Sequence, residues 1–226
     1  TVPVQVGGVS GVVKIAAGMY HSVAVRSDGS LYTWGRNVYG QLGDGSNRDK
    51  NSPVQVSGVS GVTNASAGLH HTVAVGAGKD VWAWGWNING MLGDGTDADQ
   101  TKPVKVKGLS DIVDIRAGLH HTLALRSDGS VWAWVGNAYG QLGNRSADGS
   151  AAFKVTGLGN IKKVSAGMYH SIAVMADGTI WVWGKDLKTQ PAKPSPVRIW
   201  DVEGVNDVAA GKFYTVVLSG GKAPVK

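Results

Sequence analysis

Five times along 226 residues the chain writes variants of one phrase: Ala17-Gly18-Met19-Tyr20-His21, Ala67-Gly68-Leu69-His70-His71, Ala117-Gly118-Leu119-His120-His121, Ala166-Gly167-Met168-Tyr169-His170, and a weaker Ala210-Gly211-Lys212-Phe213-Tyr214. A second phrase keeps the same step, with Pro3-Val4-Gln5-Val6 returning as Pro53-Val54-Gln55-Val56 and Pro103-Val104-Lys105-Val106. A unit of this length cannot bury its own apolar face, so neighbouring units must stack, and function belongs to the surfaces that stacking creates. The unbroken period argues for one domain over 1–226, with units at 3–52, 53–102, 103–151, 152–195 and a partial one at 196–226.

Inside a unit the pattern reads as four short strands. Val12 to Ala16 is an apolar run ending at a glycine, and His21 to Val25 follows after a short turn. Ser27-Asp28-Gly29 is turn chemistry leading into Leu31-Tyr32-Thr33-Trp34, where large side chains alternate at period two. A long loop from Gly35 to Ser52 reaches Pro53-Val54-Gln55-Val56, an edge-type strand because proline cannot donate to a central ladder. These strands are A, B, C and D. The 34 glycines fall at fixed phases of the unit, as turn punctuation. Four strands per unit without helical periodicity predict an all-β propeller of four-stranded antiparallel blades. Trp82 with Trp84, Trp132 with Trp134, and Trp181 with Trp183 stand two apart on strand C, so each pair shares a face and can fill the space between blades. Trp34, Trp84, Trp134 and Trp183, with His21, His71, His121 and His170, form the repeated framework.

Three motifs recurring in fixed order, Ala-Gly-x-x-His, Asp28-Gly29-Ser30-Leu31-Tyr32-Thr33-Trp34-Gly35 and Asn37-x-x-Gly40-Gln41-Leu42-Gly43-Asp44-Gly45, resemble the regulator of chromosome condensation repeat, a β-propeller repeat. The resemblance runs from Pro3 to about Leu218. Departures are local. Trp134-Val135-Gly136 replaces Trp-Gly-x, predicting a rearranged exit from strand C in the third unit. The fourth unit passes from Lys185 through a shorter, proline-rich loop to Ser195, and the last lacks the tryptophan strand. The chain begins with the strand its last unit lacks. Residues 2–6 could therefore close a fifth blade with 205–218, using the Pro224-containing tail as strand C. Because members of the family commonly have seven blades, an arc of a larger ring is the alternative.

Several function classes are disfavoured. With no cysteine there is neither a disulfide nor a thiolate metal site, and the compartment, secreted or cytoplasmic, stays open. No apolar run reaches the roughly 18 residues of a spanning helix. An opening Thr1 is compatible with a processed precursor or a fragment. The four framework histidines sit on different units, too far apart to share one ion, and are expected to bond neighbouring carbonyls. Asp44, Asp94, Asp97 and Asp99 lack calcium-loop spacing and read as solvated turn residues. No acid recurs beside the Ser-His pairs and no phosphate loop appears, so no catalytic residue, metal or cofactor is expected. The net charge of +6 is scattered, which makes nucleic acid a less favoured partner than protein.

What varies inside the repeat is the pair before the framework histidine and the loop after strand C. In an up-and-down blade the A–B turn and the C–D loop emerge on one side, so Tyr20, Arg36, Tyr39, His70, Trp86, His120, Tyr139, Tyr169 and Phe213 should share a face. Tyr, Trp and Arg dominate interface energetics. The expected function is a non-enzymatic, protein-binding scaffold. The chain also looks like bacterial β-lactamase inhibitor proteins built on this repeat, and that likeness implicates Tyr20, His70, His120, Tyr169 and Phe213. Two other binding classes compete: a chromatin, nucleic-acid or otherwise acidic partner, and carbohydrate stacking on exposed tryptophan. Guanine nucleotide exchange, known in the family's nuclear member, depends there on an inserted wedge that no unit here carries.

Overall fold

The repeat turns into sheets because each unit alternates short β-branched and aromatic runs with glycine turns. The computed structural model describes residues 2–144, 151–185, 193–199 and 204–220. The first sheet holds β1 (Val12–Ala17), β2 (His21–Arg26), β3 (Leu31–Gly35) and β4 (Lys50–Gln55). The second holds β5 (Asn64–Ala67), β6 (His71–Val75), β7 (Val81–Gly85) and β8 (Gln100–Lys105). The third holds β9 (Ile112–Ala117), β10 (Thr122–Arg126), β11 (Val131–Trp134) and β12 (Phe153–Lys154). The fourth holds β13 (Ile161–Ala166), β14 (His170–Met175), β15 (Ile180–Gly184) and β16 (Lys193–Ile199), and β17 (Val205–Ala210) pairs with β18 (Thr215–Ser219) alone.

Every pairing is antiparallel and follows chain order, the four-stranded blade that the repeat predicts. The Ser27-Asp28-Gly29 turn forms as expected: Arg26 N donates to Ser30 O at 2.9 Å, Asp28 Oδ1 accepts from Ser30 N, and Gly29 sits at φ +77°. Pro53 lies on β4, the outermost strand of its sheet. That strand starts at Lys50, three residues ahead of the proline, with a register shift between Thr33 and Gly35.

The core lies between sheets. Val23, Val25 and Leu31 of the first blade pack with Val62, Ala65 and Trp84 of the second. Trp134 fills the next gap against Val73, Val81 and Met91, and Trp183 the one after against Leu123, Leu125 and Leu142. Each of these three tryptophans is fully buried. The indole N–H of Trp84 donates to Gln41 O of the preceding unit at 3.0 Å, and that of Trp183 to Gln141 O at 2.8 Å.

The framework histidines also tie unit to unit, and here the expected carbonyl bond is corrected. His21 Nε2 meets Thr72 Oγ1 at 2.8 Å, His71 meets Thr122 at 3.4 Å, His121 meets Ser171 at 2.9 Å and His170 meets Thr215 at 3.3 Å. Each partner is a hydroxyl on the following blade. The carbonyl is one step removed: Thr72 Oγ1 donates to Gln41 O and Ser171 Oγ to Gln141 O, both at 2.7 Å.

At the ends of the stack the described residues form no closing pair between residues 2–6 and the last unit. Residues 2–6 form no strand, and Val2 and Val4 are each 83% exposed. Ile15 on β1 and Leu218 on β18 are 81% and 64% exposed, so neither outer sheet face is covered by the described residues. The expected closing tail at 222–226 and residues 186–192 of the proline-rich loop lie outside the described residues, while Pro194 and Ser195 belong to β16.

Candidate functional site

The variable positions are placed by two short connections per blade. The pair before each histidine splits in two directions. Its first members, Met19, Leu69, Leu119 and Met168, line an axial cavity of about 230 Å³ together with the Ala-Gly dipeptides. Glycine is required there by close approach: a β-carbon at Gly68 would collide with the His71 ring and with the Gly118 carbonyl of the next blade. The second members, Tyr20, His70, His120, Tyr169 and Phe213, are not part of that lining and make ring contacts in a separate aromatic layer.

The C–D loop is held by an asparagine whose importance the residue pattern did not reveal. Asn37 Nδ2 donates to Ser46 O at 2.8 Å and Arg48 O at 3.1 Å, while its Oδ1 accepts from Leu42 N at 2.9 Å. Asn87 repeats the arrangement with Thr96 O, Ala98 O and Leu92 N. Of the aspartates expected to be solvated, Asp97 is exposed, while Asp44, Asp94 and Asp99 are part of this scaffold. Asp94 is only 8% exposed and accepts from Thr96 N and Gln100 Nε2, and Asp44 accepts from Ser46 and pairs with Lys50 at 3.3 Å. Hydrogen bonds to Ser46, Lys50 and Asn37 outweigh the cost of burial and hold the Asp44 carboxyl below its usual range.

On this scaffold the expected residues come together in two runs of rings. Tyr20 stacks on His70 at 5.4 Å, Tyr39 reaches both His70 at 4.8 Å and Trp86 at 5.5 Å, and Trp86 meets the edge of His120 at 6.0 Å. Across a gap, Tyr139 lies 4.8 Å from Tyr169, which lies 6.1 Å from Phe213. Cations cover the rings: Arg36 stands 5.3 Å over Tyr20, Lys185 4.7 Å over Tyr139 and Lys212 5.2 Å over Phe213. Lys185 and Lys212, both at variable positions of the repeat, thus join Arg36 as cations of the site.

The histidines of this layer are biased toward the neutral form. Burial lowers the His70 pKa first, with the positive Arg36 adding to it, and burial lowers that of His120. The framework histidines beneath are pushed down further by burial, to about 4 for His21 and about 3 for His71 and His121. With each ring engaged to a hydroxyl on the next blade, these residues serve cohesion of the stack.

The third unit departs from its neighbours as its sequence predicts. Backbone N–H groups of Arg36, Trp86 and Lys185 donate to the carbonyls of Tyr20, His70 and Tyr169 at 2.9 Å, and among the described residues Gly136, in the matching place, makes no such bond to His120. Strand β11 ends one residue early, at Trp134.

Comparison with known proteins agrees with this architecture. The sequence profile of the Regulator of chromosome condensation (RCC1) repeat matches residues 28–75, 80–125 and 128–174, and a second profile of the same description matches 12–41, 112–141 and 161–190. The human E3 ubiquitin-protein ligase HERC2 is 54% identical over 39 residues, 17% of this chain and 1% of that protein. The X-linked retinitis pigmentosa GTPase regulator homolog of Caenorhabditis elegans is 53% identical over 38 residues, 17% of this chain and 3% of that protein. Among solved structures, human WBSCR16 superposes with a TM-score of 0.84 at 24% identity, covering 93% of this chain and 58% of the other. A chain in the structure of Kap60 bound to yeast RCC1 (Prp20) superposes at 0.80 with 22% identity, covering 95% and 56%. The chain thus spans a small part of its curated relatives and a little over half of these structures. At such identities the structural likeness speaks for the fold. With the repeat profile matched over more than half its length, the chain belongs to the regulator of chromosome condensation (RCC1) repeat family.

Proposed function

We propose that this chain is a non-enzymatic scaffold that binds another protein through the face built from its A–B turns and C–D loops. The observation that carries the proposal is the continuity of that face: rings from all five units touch in two runs, and three cations lie over them. Rigid aromatic side chains give large contact area at low entropy cost, and Tyr, Trp and Arg are the usual anchors of protein interfaces. Solved structures with this fold include yeast RCC1 (Prp20) bound to Kap60, and Prp20p, which has binding properties toward Gsp1p and histones. Those partners belong to those proteins. For this chain they support protein as the class of partner and say nothing of the surface used.

A library of displayed proteins selected on the wild-type chain tests the proposal. Binders should lose about tenfold or more in affinity for the Tyr20→Ala/Trp86→Ala variant, whose circular dichroism matches wild type, and should bind an Asp28→Ala/Asp128→Ala variant normally. Binders indifferent to the aromatic substitutions would reject this face. A second reading, an acidic or nucleic-acid partner, draws on Arg36, Lys185 and Lys212. It predicts affinity falling steeply between about 50 and 200 mM salt, whereas an aromatic protein interface changes little.

A further inference from the structure

The two runs of rings are separated by a cleft of about 350 Å³ walled by Trp86, His120, Tyr139 and Tyr169 and floored by Met91 and Gln141. Three departures from the repeat open it. Asn89 stands where the neighbouring loops carry Tyr39 and Tyr139, Met91 replaces the glutamine of Gln41 and Gln141, and Gly136 stands where Arg36, Trp86 and Lys185 put large side chains over the rings. Position 135 keeps the left-handed backbone of Gly35, Gly85 and Gly184, with φ +63° at Val135. A β-branched residue tolerates that poorly, so the Val-Gly inversion carries a local strain cost.

The floor holds a donor without an acceptor. Gln141 is 2% exposed, and its Oε1 accepts from Tyr139 N at 2.9 Å. Its side-chain NH₂ has no partner among the described residues, whereas that of Gln41 meets His70 Nδ1 at 3.4 Å. Tyr169 takes the place of that histidine beside Gln141. The donor opens onto the ring-walled gap, so a ligand oxygen seated there takes the place of the solvent it would otherwise meet. The volume sits at the small end of the roughly 300–1,000 Å³ range of ligand pockets, room for one side chain.

We propose that this cleft is the anchor pocket of the binding face, receiving one aromatic side chain of the partner protein with a carbonyl or hydroxyl oxygen directed at Gln141 Nε2. The inference rests on the face-binding reading and deepens it. An aromatic guest replaces the ring contacts that residue 136 cannot make. A cationic guest is disfavoured by Lys185, which stands over the Tyr139 wall.

N-acetyl-tyrosinamide titrated into the ¹⁵N-labelled chain is the probe, with N-acetyl-leucinamide as the aliphatic control. The tyrosine compound should saturably shift the Gln141 side-chain amide and the Trp86 indole N–H, and the leucine compound should shift them far less. The Val135→Gly/Gly136→Trp variant, which restores the order of the other units and fills the cleft, should abolish the Trp86 response. The Gln141→Met variant, whose side chain unit two already accommodates as Met91, should weaken it about fivefold. Equal responses to both compounds, or a Trp86 response that survives in both variants, would overturn the pocket. Because the probe replaces the partner, that failure is read separately from loss of partner binding by the Tyr20→Ala/Trp86→Ala variant.

Discussion

Thr72 has one hydroxyl proton and donates it to Gln41 O, so the bond from His21 must be donated by Nε2–H, and Nδ1 is left as a buried lone pair without a partner. The same reasoning holds for His121 through Ser171. A neutral imidazole suits this setting and an imidazolium does not, since the added Nδ1–H would point into a site with no acceptor. In the unfolded chain the rings protonate near 6.5. In the fold, burial holds His21 to about 4 and His71 and His121 to about 3. Above pH 6.5 both states are neutral and stability is complete. As the pH falls from there toward 4, the unfolded chain gains protons that the fold refuses. Stability should then drop by on the order of 1 kcal/mol per histidine for each pH unit. Urea unfolding followed between about pH 7 and pH 5 should show a steadily falling midpoint, and a flat profile would contradict neutral burial of these rings. The histidine repeat was plain in the sequence. Its partner was not, because the Ser or Thr that answers each histidine stands 45 to 51 residues away and is adjacent only once the blades stack.

At the scale of the strand, the tryptophan spacing was informative because period two dictates a common face. Burial then separates equivalent residues by neighbourhood. Trp84 is fully enclosed between its blade and the one before, while Trp34, with no preceding blade among the described residues, is half-buried and lines an open groove with Val23 and Ile15. Trp84→Ala should cost about 3–5 kcal/mol in unfolding free energy, and Trp34→Ala less than half of that. Equal losses, measured by denaturant titration, would mean that the first blade is covered on its outer side. The D strands were legible from their prolines, but their starting points were not. β4 begins at Lys50 because Gly35 pairs with it across a register shift that only the paired backbone reveals. Asn37 was likewise visible as a repeated letter, without the pattern of loop carbonyls it collects.

Across the whole molecule, repetition determined the architecture and broken repetition marked the site. The side of the disc on which the A–B turns and C–D loops emerge followed from antiparallel strand order alone, and the ring contacts among Tyr20, His70, Tyr39 and Trp86 place those residues there together. Closure of the ring was not legible in the same way. A Pro-Val-Gln-Val phrase at the start signals strand propensity, but a strand needs an available edge, and residues 2–6 pair with none among the described residues. The proposed function requires that one side of the stack, and not the other, meets a protein partner. A photo-crosslinking amino acid placed in turn at Tyr39, Tyr139, Asp28 and Asp128 compares the two sides in one measurement. Adducts with a bound partner should form from positions 39 and 139 and not from the B–C turns at 28 and 128. Adducts from the B–C turns with none from the loops would contradict it.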